Sequence, residues 1–147
     1  MQKIKCMRKV FICCMFLFLA NNISAQKRIF DCQLSNDDYQ VFIKMNLYEQ
    51  NITIPGQEIF GKLAGYFGSK RSVMIWPIVK AKVENDSVAT IQLINDLGSE
   101  DLSCTLSFQK DGSYLLHQDD GSTLKIVVNS KYVKIPKTLK LYRKENK

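Results

Sequence analysis

Between Ser72 and Val128 the chain is a succession of short runs of alternating apolar and polar residues, each closed by a turn signal. Leu102, Cys104, Leu106 and Phe108 alternate without a fault against Ser103, Thr105, Ser107 and Gln109. Successive side chains on a strand point to opposite faces, so this pattern gives one buried and one wet face, the habit of antiparallel sheets. Asp111-Gly112 separates that run from Tyr114–Gln118, and Asp120-Gly121 separates the latter from Ser122–Val128. Asp-Gly is a strong hairpin signal because the favoured two-residue turns need positive φ, which Gly adopts without strain. Upstream, Asn85-Asp86 divides Ser72–Glu84 from Ser87–Ile94. The stretch predicts an antiparallel meander, and a meander of this length commits the chain to an all-β fold.

The flanks extend the pattern. Phe30, Cys32 and Leu34 alternate with Asp31 and Gln33, and the cluster Ser35–Asp38 ends that strand because its side chains compete for backbone hydrogen bonds. Val41, Ile43, Met45 and Leu47 then share one face of a second strand. Glu49–Gln57 is a loop with Pro55-Gly56, and Glu58–Gly68 carries Gly61, Gly65 and Gly68. Glycine inside a strand marks a bulge, a bend or close approach of another backbone, so a bent strand covered by Phe60, Tyr66 and Phe67 is predicted here. Pro77 cannot donate to a sheet ladder, which puts its strand at an edge or beside a bulge. Around Pro136, two short strands direct Val133, Ile135, Leu139 and Leu141 toward the core.

About nine or ten short strands joined by sequential turns predict a small up-and-down antiparallel barrel or, alternatively, a β-sandwich. In outline the pattern resembles the calycin-type barrels, the lipocalin and fatty-acid-binding class. The resemblance is architectural and implies the barrel alone. The chain has no Gly-X-Trp near its first strand, since Trp76 follows Met74-Ile75 well inside the sequence. No binding residue carries over, and fold analogy does not specify function.

The 147 residues allow one domain. Lys3, Lys5, Arg8 and Lys9 precede the apolar run Val10–Ala20, and Asn21–Ala25 ends on a small residue. This is the layout of a signal peptide over residues 1–25, cleaved after Ala25, and it predicts export to the periplasm or secretion. Residues 26–147 then form a single all-β domain with a fraying basic tail. They hold 17 Lys and Arg against 14 Asp and Glu, so the net charge falls to +3 from the +7 of the whole chain. Cys32 and Cys104 are the cysteines left. In an oxidising compartment they are candidates for a disulfide that stabilises by roughly 4 kcal/mol, against the alternative of two thiols packing as small hydrophobes.

The candidate chemistry is sparse. His117 is the sole histidine, so any Ser-His-Asp or Cys-His arrangement must use it, and a structural zinc has too few ligands. The acid pairs Asp37-Asp38, Glu100-Asp101 and Asp119-Asp120 sit in turn-like sequence, where Asp serves local hydrogen bonding rather than acid–base chemistry across a cleft. No catalytic residue, metal or cofactor is therefore assigned. The expected function is a secreted or periplasmic binding module that holds a small apolar or glycan ligand in the barrel or at its mouth, lined by Phe60, Tyr66, Phe67 and Trp76. The alternative is a protein-interaction or inhibitor module of the cell envelope, working through a lysine-rich C-terminal edge. Lys131, Lys134, Lys137, Lys140 and Arg143 form that edge, and they also suit an anionic surface. Nucleic acid is not an expected partner of an exported chain.

Overall fold

The computed structural model describes residues 27–145, so the expected signal peptide over residues 1–25, its expected cleavage site and the last two residues of the basic tail lie outside the described residues. The strands are β1 (Asp31–Asn36), β2 (Val41–Asn46), β3 (Ile52–Thr53), β4 (Lys62–Leu63), β5 (Gly65–Ser69), β6 (Ser72–Val83), β7 (Val88–Ile94), β8 (Asp101–Phe108), β9 (Tyr114–Gly121), β10 (Lys125–Val128), β11 (Lys131–Lys134) and β12 (Thr138–Arg143). One 3-10 turn, Glu58–Phe60, lies between β3 and β4. Eight strands close into an antiparallel barrel in the order β1-β12-β9-β8-β7-β6-β5-β2, with β2 returning to β1. The pairs β3–β4 and β10–β11 are side excursions, and without them the wall runs up and down in chain order. The chain is a closed barrel and not a sandwich.

Closure follows from the alternation. Leu34 pairs with Ile43, Ile43 with Phe67, and Phe67 with Trp76. Across the other half, Leu93 pairs with Leu102, Leu106 with Leu116, and Leu116 with Leu139. All of these are buried and meet as inward rows. Each large apolar side chain so removed from water contributes about 1.5–3 kcal/mol. Lys80, Lys82, Thr90 and Lys140 stand on the outer wall. Apolar inside and polar outside is the inverse of a membrane barrel.

Both ends are shut. At the amino-terminal end, Ile29 and Phe30 are buried across the opening. The Tyr114 hydroxyl donates to the Ile29 carbonyl at 2.7 Å, and the Leu47 N–H donates to that of Phe30 at 3.0 Å. At the opposite end the β10–β11 hairpin folds over the wall. The Trp76 indole N–H donates to the Lys125 carbonyl at 2.9 Å, the Val127 N–H donates to the Ser72 hydroxyl at 3.2 Å, and Leu124, Ile126 and Ile135 are buried beneath.

Several expectations change. Asp120-Gly121 does not make a hairpin: β9 runs through Gly121, which pairs with Leu102, and β10 pairs with β11 instead of β9. The tight turn is Asn129-Ser130, with φ of 51° and 61°, the doubly positive form whose twist suits a two-residue hairpin. Of the two placements expected for the strand of Pro77, the edge is excluded, since β6 has neighbours on both sides, and the bulge is found, two residues later at Val79. The segment read as one bent strand is split into the 3-10 turn, β4 and β5. Gly65, with φ of 152°, marks a close backbone approach, because a Cβ there would overlap the Lys44 carbonyl oxygen. The disulfide is corrected as well, for Cys32 and Cys104 are free thiols. β1 and β8 are three strands apart around the wall, about 14 Å at ~4.8 Å per strand, whereas a disulfide needs Cα atoms within roughly 7 Å.

Candidate functional site

The four aromatics expected to line a pocket do not come together. Phe67 and Trp76 are cross-strand neighbours inside the barrel, both fully buried, and they fill the space that a ligand would need. Tyr66 pairs with Pro77 on the other face of the same two strands, where its ring meets Phe42 edge-on at 5.8 Å. Phe60 lies in the 3-10 turn beside Ile59, outside the barrel. The interior is completed by Phe30, Leu34, Ile43, Met45, Ile78 and Tyr114, and packing of this kind leaves the barrel a core rather than a container.

The basic residues are divided in the same way. Lys131 and Lys134 stand exposed on the β11 edge at the hairpin end, and Lys137 borders a small hollow of about 180 Å³ beside Asp119–Thr123. Lys140 and Arg143 belong to the wall. The Lys140 ammonium lies 2.8 Å from the Asp111 carboxylate, and the Arg143 guanidinium donates to the Asp31 carbonyl at 3.1 Å. The Lys140 hydrogen bond, followed by those of Ser113, holds the Asp111 carboxyl well below the usual carboxylate range. His117 shares a 2.7 Å hydrogen bond with Thr138 on the outer wall.

Two surface features stand out once the faces are assigned. The first is at the hairpin end, where separate elements expose apolar side chains: Val73 opens β6, Leu97 is in the turn between β7 and β8, and Tyr132 is on β11. Their exposures are 94%, 81% and 66%. The surroundings are ordered by specific contacts. The Asn95 carbonyl oxygen of the side chain accepts from the Ser99 and Glu100 N–H groups at 2.8 and 3.2 Å, which shapes the turn that presents Leu97. Glu100 then holds the Lys125 ammonium at 2.7 Å, and that ammonium lies 4.8 Å from the centre of the Tyr132 ring. One lysine thus ties the β7–β8 turn to the hairpin.

The second feature is a groove of about 550 Å³ on the outer wall, across β6 to β9. A barrel wall is convex, and here two bulges bend it. Ile78 pairs with Leu93 but Lys80 with Gln92, so Val79 is the extra residue of β6. Ser103 pairs with Asp120 but Cys104 with Gln118, so Asp119 is the extra residue of β9. Both bulged residues border the groove, with Gln50 reaching over from the loop after β2 to the Ala81 carbonyl. Bulges re-aim side chains and interrupt pairing, and they are over-represented beside functional sites. Beneath the groove, burial in the barrel, with the charge of Asp119 adding to it, pushes the Cys104 thiol up to about 12.

None of this was singled out in the sequence. Lys80, Gln92 and Ser103 sit at ordinary wet-face positions in the sequence; Pro77 marks the bulge of β6, but the bulge of β9 at Asp119 leaves no sequence mark. Leu97 did carry a signal, an apolar residue inside the turn cluster Asn95-Asp96-Leu97-Gly98. No protein-family model, curated protein or solved structure matches the chain.

Proposed function

We propose that the chain is an exported protein-interaction module of the cell envelope or the secreted space, docking a partner on the hairpin-closed end of its barrel. Export rests on the basic, apolar and small-residue order of residues 1–25. The observation that carries the reading is the conjunction of a packed interior with three exposed apolar side chains, Val73, Leu97 and Tyr132, brought to one end by three different elements. Exposed apolar side chains that share a region with a polar rim mark interaction surfaces, and an aromatic held by a neighbouring cation is the kind of residue that dominates binding energy. Lys131 and Lys134 flank Tyr132, so the partner surface is apolar at its centre and acidic at its border. The reading of a small-ligand carrier gains no interior space, because Phe67 and Trp76 occupy it.

Photo-crosslinking tests this reading in the organism of origin. A benzophenone amino acid at position 97 or 132 should yield a discrete protein adduct, and one at position 142, toward the other end of the wall, should not. The triple variant Val73→Asp, Leu97→Asp, Tyr132→Asp should keep its melting temperature within the range of surface changes, about ±0.5 kcal/mol per site, and lose the adduct. Equal adducts at 97 and 142, or none at 97 and 132, would refute the proposal.

A further inference from the structure

The groove over β6 to β9 points to a second site, separate from the docking end. Its floor is one cross-strand rung, Lys80 on β6, Gln92 on β7 and Ser103 on β8, in register through the pairs Lys80–Gln92 and Gln92–Ser103. Among the described residues Lys80 has no carboxylate within 4 Å, while its neighbour Lys82 is spoken for by Glu84 at 2.8 Å. Lys80, Gln92 and Ser103 also make no side-chain hydrogen bond within the described residues. Other polar side chains at the groove are engaged: Thr90 donates to Glu84 at 3.1 Å, and Asp119 accepts from Thr105 at 2.8 Å. The rung therefore presents, in order, a free ammonium, a free amide and a free hydroxyl, with a bulge at each side of the floor.

That order selects a ligand class. The ammonium asks for an anionic group, and the amide and hydroxyl each donate and accept, which matches neighbouring hydroxyls. Four apolar residues line the groove: Ile91 and Cys104 are buried in the barrel and contribute backbone, which leaves the half-buried Val79 and the single methyl of Ala81, too little apolar surface to hold a large apolar group. Among the described residues no aromatic ring borders the groove, so a neutral sugar would lack the stacking surface that commonly holds one, and the charge at Lys80 has to supply the binding. We infer that the groove binds an acidic saccharide, with a sugar carboxylate at Lys80 and the adjoining ring hydroxyls at Gln92 and Ser103. The site is independent of the docking end and of export, so it stands or fails by itself.

Titration of residues 26–147 with trigalacturonate, followed by amide and side-chain NMR at low salt, tests the inference, with maltotriose and triglutamate run in parallel. Trigalacturonate should shift Lys80, Gln92 and Ser103 together and bind at least about tenfold more tightly than maltotriose, and its affinity should fall as salt is raised. Lys80→Met should weaken it by about tenfold without moving the melting temperature, whereas Lys70→Met, on the turn between β5 and β6, should leave it unchanged. The inference is overturned if trigalacturonate produces no saturable shift at millimolar concentration, if maltotriose binds as well, if Lys80→Met binds as the parent does, or if triglutamate matches trigalacturonate on the same rung.

Discussion

Gln118 is the side chain on which the hairpin end of the barrel depends. It points into the barrel from β9 and is 6% exposed. Its amide donates to the Ile135 carbonyl at 3.1 Å and the Pro136 carbonyl at 2.9 Å, and its oxygen accepts from the Leu124 N–H at 2.8 Å. One side chain thus satisfies backbone groups on both segments that lead into and out of the β10–β11 hairpin. In Gln118→Leu the volume is nearly kept, but a buried N–H and two carbonyls lose their partner. A buried group left unsatisfied costs about 1–3 kcal/mol, and the better hydrophobic burial of Leu offsets roughly 1, so the net loss is roughly 3 kcal/mol. For a domain of this size that is about 10–15 °C in melting temperature. Urea and thermal melts followed by circular dichroism measure it, with Gln33→Leu on the outer wall as a control expected within about 0.5 kcal/mol of the parent. The loss should also be local: the indole N–H of Trp76, the only tryptophan, is bonded next to Leu124 and should shift and exchange faster. A loss below about 1 kcal/mol, or an unmoved indole resonance, would refute the claim that this side chain fastens the hairpin.

Gly65→Ala should be more damaging than its size implies, since Ala must adopt φ of 152° and place its Cβ against the Lys44 carbonyl; strain and overlap together cost about 4 kcal/mol, read from the urea midpoint. Alkylation of unreduced residues 26–147, which hold two of the five cysteines, should add two groups under denaturing conditions, while in the native domain at pH 8 Cys104 should stay unmodified, because burial keeps its thiol near 12; a single mass without adducts would establish a bridge and overturn the structure here. Asp111 has a depressed carboxyl, so its contribution is present above the ordinary carboxylate range and is lost as pH falls through the folded value. Acid titration by NMR should find the Asp111 carboxyl still ionised well below the usual carboxylate range, and Lys140→Met should raise it.

The sequence by itself determined the all-β class, the inward rows and most of the strands, because a period of two with one apolar face admits no other regular structure. Leu102 to Phe108 is the clearest case, and all of its inward residues were placed correctly by alternation. It also showed that proline and glycine break the pattern near Gly65 and Pro77. Sequential pairing was legible as well, but only the tertiary structure decided which runs leave the wall as side hairpins and how the ring closes. Alternation fixes a face but not a partner, so Asp120-Gly121 read as a hairpin while β9 pairs with β8 and β12, and the turn is at Asn129-Ser130. The same ambiguity misplaced the site. Phe67 and Trp76 became core because closure turned their face inward, and Cys32 and Cys104 were set apart around the wall. Lys80, Gln92 and Ser103 come from three strands; Pro77 signals the bulge of β6, but nothing in the local sequence records the register that aligns the three residues or the second bulge, at Asp119, that helps turn a convex wall into a groove. Register and curvature are properties of strand pairs, fixed only when the ring closes.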